Sequence, residues 1–268
     1  MNKADFTKLH HPNRPLTLLN VWNKDSAKAL QHEGIKVMAS SSYASAAVMN
    51  KDDGQQISLK ENVEIFSNLL INDTFKSLDF EAGYSDNSND LQHNINYLLK
   101  NNIGGINLED KLPGQNQLQT IEIFTDKINI IHQTDNDKKM FLNIRTDSFF
   151  SGDLMAKNQN KNLLKKTIKR INQYEKHAID GIFIPGLKNK EFISTVARNI
   201  SVPLNIMLDI QSDKLEEYLS LGISRISFGP STFLEYSNSN LTVEDFFKNK
   251  IDELSYLEDN KMINLARR

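Results

Sequence analysis

Two short acidic motifs are the parts of this sequence best suited to chemistry. Asp79 and Glu81 are two residues apart, so in an extended chain their carboxylates lie on the same face. Glu109 and Asp110 form a second acidic pair further along the chain. Like charges held this close repel one another unless a cation or a proton lies between them. The motifs therefore indicate a site for a positively charged ligand.

The ligand atoms that these motifs offer are hard oxygens. The chain contains no cysteine, and none of its six histidines lies in either motif. Carboxylate ligands without nitrogen or sulfur suit Mg2+ or Mn2+ rather than zinc. Arg145 follows another apolar run and offers a bidentate fork for a carboxylate. Together these groups describe a site for a small oxyacid anion, with helix capping as the competing role for Asp110 and Asp147.

The motifs lie at the ends of short apolar runs that recur along the chain. The runs are bounded by Gly, Pro, Asn or Asp and are too short for helices, which is typical of buried strands. They cover residues 16–21, 35–39, 77–80, 105–108, 140–144, 181–184, 203–207 and 225–228.

Longer polar stretches with helical spacing separate these runs. They cover residues 25–33, 59–72, 91–100, 119–133, 163–177, 189–198 and 214–220. Ser58 and Glu61 form a capping-box pattern before the second stretch, and Asp25 or Ser26 is the expected cap of the first. This alternation predicts an α/β fold, a (β/α)8 TIM barrel. A doubly wound sheet is the rival, but its G-x-G-x-x-G turn is missing after the first run.

We expect the barrel over residues 1–237 and a C-terminal helical extension over 238–268. Thr242 opens a helical run over 243–257, which we expect to pack on the barrel or on a neighbouring subunit. In such barrels the carboxyl ends of the strands meet at one mouth, where the chemistry takes place. The acidic motifs and Arg145 should therefore converge there.

Composition excludes several classes of protein. The 268 residues include 32 basic and 34 acidic ones, so the net charge of −2 argues against a nucleic-acid partner. No apolar stretch reaches the roughly 18 residues that a membrane-spanning helix needs, so we expect no membrane partner. The first residues lack the apolar core of a secretory signal, which predicts a cytoplasmic protein.

Several of these stretches carry a resemblance to a known family. They are LNVWNKDSA at 19–27, ASSS at 39–42, DFEAGY at 79–84, GGINLED at 104–110, NIRTD at 143–147, DGIFIPG at 180–186, PLN at 203–205 and RISFGP at 225–230. In this order they resemble the isocitrate lyase/phosphoenolpyruvate mutase family. The resemblance implies a (β/α)8 barrel that forms a homo-oligomer, a dimer or a tetramer, with Mg2+ or Mn2+ as cofactor.

The resemblance also implies roles for the acidic motifs. Asp79 would bind Mg2+ most directly, and Glu81 and Glu109 would hold the waters around it. Asp53 matches the aspartate that follows the second strand in the family, although the neighbouring Asp52 is an alternative. Asp53 and Glu109 are therefore candidate catalytic residues as well as parts of the metal site.

The remaining implied roles concern the substrate. Arg145 would grip the substrate carboxylate and act in catalysis, and Ser41, Ser42 and Tyr43 would line the pocket. Asn205, on the seventh predicted strand, is the further candidate for binding the substrate.

The loop after the fourth predicted strand departs from the family. Isocitrate-cleaving members carry a cysteine acid there, whereas residues 111–118 of this chain contain none, which argues against that reaction. The same loop is a candidate lid over the site. We therefore expect a Mg2+-dependent lyase that cleaves or rearranges a C–C or P–C bond next to a 2-oxo or 2-hydroxy carboxylate through a pyruvate-like enolate. The substrate would be a 2-oxo acid or a phosphonate. The alternative is a non-catalytic or weakly active barrel that binds small oxyacids.

Overall fold

A single parallel sheet that runs around a barrel organises the computed structural model, which describes residues 1–67, 69 and 74–267. Its nine strands in these residues are β1 (Leu16–Leu18), β2 (Asn20–Val21), β3 (Val37–Ser40), β4 (Phe75–Asp79), β5 (Gly105–Glu109), β6 (Phe141–Arg145), β7 (Gly181–Ile184), β8 (Leu204–Met207) and β9 (Arg225–Ser227). The sheet order is β1-β9-β8-β7-β6-β5-β4-β3-β2. Because β1 and β2 are two halves of the first predicted run, this order closes the barrel. The (β/α)8 barrel is therefore confirmed.

Helices follow the strands and cover the outside of the sheet. They are α1 (Lys3–Thr7), α2 (Lys24–His32), α3 (Ser42–Val48), α4 (Leu59–Glu64), α5 (Ser88–Lys100), α6 (Ile121–Thr134), α7 (Leu154–Lys157), α8 (Lys161–Tyr174), α9 (Lys190–Asn199), α10 (Ser231–Ser237) and α11 (Val243–Asp259). Short 3-10 turns span Asp147–Phe149, Glu175–His177 and Leu215–Tyr218. The apolar faces of the longer helices bury Leu, Ile and Phe side chains against the strands, which forms the main core.

The structure corrects one predicted helix and one predicted helix cap, and it describes only part of a third predicted element. The stretch 214–220 forms only a 3-10 turn, since its backbone bonds reach three residues back, as from Glu217 N to Lys214 O at 3.0 Å, rather than four. α4 ends at Glu64, and residues 68 and 70–72 of the predicted 59–72 helix lie outside the described residues. The cap of α2 is Asn23 rather than Asp25 or Ser26, since the Asn23 side chain accepts from the Ser26 amide at 2.9 Å.

The amino end of the barrel is closed by aromatic rings. Alternate residues of each strand point inward, which places Phe75 of β4 and Phe141 of β6 at this end. α1 inserts Phe6 between them, with ring centroids 3.8 Å from Phe75 and 4.9 Å from Phe141. All three rings are buried, so α1 acts as an apolar plug that was not predicted.

Above this plug the barrel interior is polar. Asn143 of β6 donates to Asn107 Oδ1 of β5 at 2.8 Å. Arg225 of β9 donates through Nη2 to Ser77 Oγ of β4 at 3.3 Å, and these two strands are not neighbours, so the bond crosses the interior. Gly181 admits the Asn143 side chain, because a Cβ there would lie 2.7 Å from Asn143 Oδ1. This polar layer forms the floor beneath the carboxyl-end cavity.

The C-terminal extension packs on its own barrel. α11 lies against α2, and the Phe247 ring stacks 5.5 Å from that of Trp22. Beyond α11 the chain returns to the first strand, where Thr17 N donates to Asn264 O at 2.8 Å. In the described part of the chain, none of the helices combines the length and the apolar character that crossing a membrane requires.

Candidate active site

A cavity lies at the carboxyl ends of the strands and is partly open to solvent; its enclosed space is about 60 Å3, and about 560 Å3 when the open solvent at its mouth is included. Its polar lining includes Asn20, Ser40, Ser41, Ser42, Asp53, Asp79, Asn107, Arg145, Arg225 and Ser227. Its apolar lining includes Phe150, Phe183, Pro185 and Met207. The shape is that of a small-molecule pocket with a few convergent polar groups.

Asp79, the last residue of β4, lies at the centre of this lining. Its Oδ2 accepts hydrogen bonds from the Ser42 amide at 3.2 Å and from Ser42 Oγ at 2.9 Å. Its Oδ1 is buried and has no hydrogen-bond partner among the described residues. Burial raises the pKa of Asp79, and the nearby Asp53 charge adds to that rise. A buried carboxylate oxygen left without a donor is a position where a cation or a ligand proton is expected.

Glu81 lies just beyond the end of β4 in an unusual backbone conformation. Its φ of 47° falls in the left-handed region, which side chains other than glycine rarely adopt. The carboxylate accepts from Tyr84 Oη at 3.0 Å and from the Gln55 amide at 2.8 Å. Burial, together with the charges of Asp79 and Asp53, raises the pKa of Glu81 to about 8. Its negative charge is therefore poorly compensated.

Glu109 and Arg145 face each other across neighbouring strands. Arg145 Nη1 lies 3.0 Å from Glu109 Oε2, and its Nε and Nη2 donate to Asp147 at 2.6 and 3.1 Å. Burial and the neighbouring charges of Asp147 and Asp79 raise the pKa of Glu109. Although burial opposes it, the pair of carboxylates raises the pKa of Arg145 further above its ordinary value. Two carboxylates therefore already compensate the Arg145 charge.

Asp110 does not join the other acids. Its Oδ1 accepts from the Asp147 amide at 3.0 Å, and its Oδ2 accepts from Tyr174 Oη at 2.9 Å and lies 3.4 Å from Arg170 Nη1. These bonds tie β5 to β6 and α8. The convergence expected of Asp110 with the other acids was therefore wrong, and neither Asp110 nor Asp147 caps an α-helix.

The structure brings most of the predicted substrate-binding residues to the cavity. Ser41, Ser42 and Tyr43 line it at the start of α3, with Tyr43 exposed at the mouth. Asn205 is different, because it is buried below the lining and its Oδ1 accepts from Ser227 Oγ at 3.5 Å. Its Nδ2 has no partner among the described residues.

The choice between Asp52 and Asp53 has a structural basis. Asp53 lines the cavity, and its Oδ1 lies 3.2 Å from Ser42 Oγ. The Ser42 hydroxyl, which also lies near Asp79, has a single proton to share between the two carboxylates. Asp52 is exposed and does not line the cavity, so Asp53 is the better placed of the two.

Arg225 is a charged residue of this site for which the sequence predicted no role. It is 1% exposed, lines the cavity, and leaves Nε and Nη1 without partners among the described residues. Burial lowers its pKa to about 10, and the Asp79 charge opposes that shift. In the sequence, the one indication of a role for Arg225 is that a basic residue begins the short, mostly apolar run 225–228.

The donor set fits a hard divalent cation held mainly by one carboxylate. No group of three or more acidic or histidine side chains in residues 1–67, 69 and 74–267 stands ready-spaced as a metal cage. Asp79 nevertheless offers an unpartnered oxygen, and burial is the main cause that raises the pKa values of Asp79, Glu81 and Glu109, so a nearby cation would stabilise their charged forms. These features suit Asp79 as a direct ligand of such a cation.

Comparisons with known proteins agree with this architecture. The chain matches the family described as Phosphoenolpyruvate phosphomutase over residues 6–243. A crystal structure from Burkholderia cenocepacia J2315, of a protein to which phosphonomutase activity is ascribed, is 29% identical, has a TM-score of 0.80 and covers 87% of this chain and 95% of that one. The family resemblance carried by the sequence motifs is thereby confirmed.

Two further likenesses are more distant. The crystal structure of phosphonopyruvate hydrolase in complex with oxalate and Mg2+ is 15% identical, has a TM-score of 0.73 and covers 97% of this chain and 99% of that one, which shows the shared fold. The Mycobacterium tuberculosis (strain ATCC 25618 / H37Rv) protein called Uncharacterized protein Rv1998c is 27% identical over 224 residues, 84% of this chain and 81% of that protein.

Proposed function

This chain belongs to the phosphoenolpyruvate phosphomutase family, a family of lyase and mutase enzymes, and from that premise we propose its reaction. The substrate is a small 2-oxo or 2-hydroxy acid or a phosphonate. The enzyme cleaves or rearranges a C–C or P–C bond next to the 2-oxo or 2-hydroxy carboxylate unit, and the reaction passes through a pyruvate-like enolate that keeps the carboxylate. The observation that carries the proposal is the buried, unpartnered Oδ1 of Asp79, a residue that lines the cavity at the carboxyl ends of the strands.

Asp79 would hold the divalent ion, and Glu81 and Glu109 would hold its waters. When bound, Mg2+ or Mn2+ supplies positive charge that stabilises the charge developing on substrate oxygens. Ser42 fixes the Asp79 carboxylate through two hydrogen bonds to one oxygen, which leaves the other oxygen free to face the cation. This arrangement is set before any ligand arrives, as effective electrostatic stabilisation requires.

Arg145 is held in one orientation by its surroundings. Asp147 takes two of its donors and Glu109 a third, while its guanidinium carbon lies 5.0 Å from the Phe150 ring centroid and 5.9 Å from that of Phe183. The guanidinium has five N–H donors, and these contacts use one on Nε, one on Nη1 and one on Nη2. One N–H on each of Nη1 and Nη2 therefore stays available. A clamped arginine of this kind orients a carboxylate at small entropic cost.

The apolar part of the lining excludes water from the reacting bond. Phe150, Phe183, Pro185 and Met207 form this wall. The candidate lid over residues 111–118 is pinned at its base by a bridge between Lys111 and Leu118. Closure of such a loop would protect a reactive enolate from solvent protons.

The test is a screen for pyruvate release from oxaloacetate, phosphonopyruvate and 2-methylmalate-type acids, with MgCl2 or with EDTA. Phosphonopyruvate rearrangement is followed separately by 31P NMR, because a mutase releases no pyruvate. We expect one of these acids to react in a metal-dependent way, and Asp53→Asn but not Asp52→Asn to slow the reaction. Oxalate binding without turnover of any acid would instead favour the binding-only alternative.

We also propose that the chain forms a homo-oligomer through its C-terminal helices. Leu234 of α10, Leu241 in the segment between α10 and α11, and Tyr256 of α11 are exposed apolar or aromatic side chains in the same part of the chain. Light scattering after gel filtration should give a mass of two or four chains. A monomer at the concentrations used for the assays would contradict this proposal.

A further inference from the structure

Two arginines line the cavity, and they differ in how their charge is compensated. Arg145 pairs with Glu109 and Asp147. Arg225 forms no ion pair with any carboxylate of the described residues, and its one polar contact there is the 3.3 Å bond from Nη2 to Ser77 Oγ. The uncompensated cation of the cavity is therefore Arg225.

The surroundings of Arg225 do not supply an anion. The Phe6 ring lies beneath it, 5.9 Å from the guanidinium carbon, and offers only a cation–π contact. Asp79 attracts it electrostatically but no hydrogen bond joins them. Leaving a buried charge without a hydrogen-bonded partner is costly, so a partner from outside the chain is expected.

A second unused donor lies beside Arg225. Asn205 and Arg225 are register partners on β8 and β9, so their side chains are neighbours on the inward face. Asn205 Nδ2 is buried and unpartnered, like Arg225 Nε and Nη1. Unpartnered amide and guanidinium donors on adjacent residues are the kind of groups that bind an oxyanion, and of the two residues Arg225 is the one that lines the cavity.

We propose that Arg225, assisted by Asn205, binds an acidic group of the substrate at the floor of the cavity. The inference rests on the proposed function and extends it, because the ligand then carries two acidic groups, one toward Arg145 and the other toward Arg225. The floor group is a carboxylate or a phosphonate, since either offers the oxygens that an arginine fork accepts. Arg225 is thereby a determinant of specificity for diacids over monoacids.

The experiment compares ligands that differ only in their second acidic group. Calorimetry in MgCl2 measures the binding of propionate, succinate and 3-phosphonopropionate to the wild-type protein and to Arg225→Met. We expect the wild type to prefer the diacids, and Arg225→Met to lose at least about tenfold of that preference while propionate binding changes little. The diacid whose affinity falls more in Arg225→Met shows whether the group bound at the floor is a carboxylate or a phosphonate.

Control variants separate binding from folding. Arg170→Met removes an arginine outside the cavity and should leave the diacid preference unchanged. Arg225→Met replaces an unpaired buried charge with an apolar chain, so its melting temperature should not fall. If it fails to fold, Arg225→Lys serves instead, because it keeps the charge but loses the fork and should weaken diacid binding selectively.

The outcomes distinguish this inference from the proposed function. Equal weakening of propionate and the diacids, or an unchanged preference, would overturn the role of Arg225 alone. Wild-type protein that binds none of the three acids would overturn the floor site, whereas the proposed reaction is overturned only if the turnover screen fails. Turnover of a diacid with an unaltered KM in Arg225→Met would leave the reaction standing and refute the floor site.

Discussion

The two ends of the barrel are built from the same strands but carry opposite chemistry. β4 contributes Phe75 to the amino end and Asp79 to the carboxyl end, and β6 contributes Phe141 and Arg145 in the same order. At the amino end the rings pack on Phe6 with centroid distances of 3.8 and 4.9 Å. At the carboxyl end the side chains are charged, and Asp79 keeps an oxygen without a partner among the described residues.

This contrast separates stability from activity along each strand. Apolar burial at the amino end stabilises the fold, whereas buried like charges at the carboxyl end oppose it. Residues at a binding site are commonly retained despite such a cost, because a ligand relieves it. Substitutions in the cavity should therefore lower activity more than stability, and substitutions in the apolar plug should lower stability more than activity. Four experiments test this separation.

The largest effect is expected for Asp79→Asn at the carboxyl end. Loss of the charge that faces the cation should lower kcat/KM by at least about 10²–10³-fold, the size seen for one pre-organised electrostatic group. The melting temperature should stay level or rise, because burial already disfavours the charged form of Asp79. Exposed Asp52→Asn is the control. A large loss of stability in Asp79→Asn would erase the distinction between the two ends.

The second-largest effect is expected for Phe6→Ala at the amino end. Removing a fully buried ring should lower the free energy of unfolding by about 3 kcal/mol. Catalytic constants of the folded fraction should change little, since Phe6 does not line the cavity. Urea unfolding and steady-state kinetics measure both quantities, with Phe6→Leu as the milder control. Loss of activity without loss of stability would show that the plug acts on the site.

A smaller effect is expected for Asp110→Asn, which lies outside the cavity but close to its walls. The new amide would place donors against Tyr174 and Arg170, so the free energy of unfolding should fall by about 1–3 kcal/mol. Activity should fall only modestly, through the bond to the Asp147 amide. A fall in kcat/KM as large as that of Asp79→Asn would instead place Asp110 among the functional acids.

The smallest effect is a pH dependence at the amino end. His10 stacks on Phe141 at 4.8 Å, and burial with the nearby Arg225 charge lowers its pKa from 6.5 to about 3. The unfolded chain therefore binds a proton that the folded chain does not between these values, so stability falls as pH drops below about 6.5. At pH 5.5 the loss should be about 1 kcal/mol, and His10→Gln should reduce it. If the free energy of unfolding falls equally with pH in the wild type and in His10→Gln, this prediction is refuted.

Sequence alone was sufficient where the signal is local or periodic. Alternating apolar runs and amphipathic stretches predicted the barrel, and the position of Asp79 and Arg145 at run ends predicted that they meet at one mouth. The capping box of Ser58 and Glu61 was also found, with Ser58 N donating to Glu61 at 2.7 Å. Each of these features depends on residues that are close in the chain or on the repeating strand order.

The features that escaped prediction depend on partners distant in the chain. Asp110 and Asp79 follow neighbouring strands alike, and only the fold reveals that Arg170 and Tyr174 claim Asp110. The five residues of α1 are too few for periodicity to show, so the role of Phe6 was invisible. Arg225 begins the RISFGP motif at 225–230, but only the packed interior shows that it lacks an ion-pair partner among the described residues.

Metal binding tests the central claim most directly. Mn2+ titration followed by electron paramagnetic resonance should show one competent site per chain that Mg2+ displaces. Asp79→Asn should bind Mn2+ at least about 100-fold more weakly, beyond the range typical of residues that merely support a metal ligand, with an unchanged melting temperature. Equal affinity in the two proteins, or no binding to the wild type, would contradict the account.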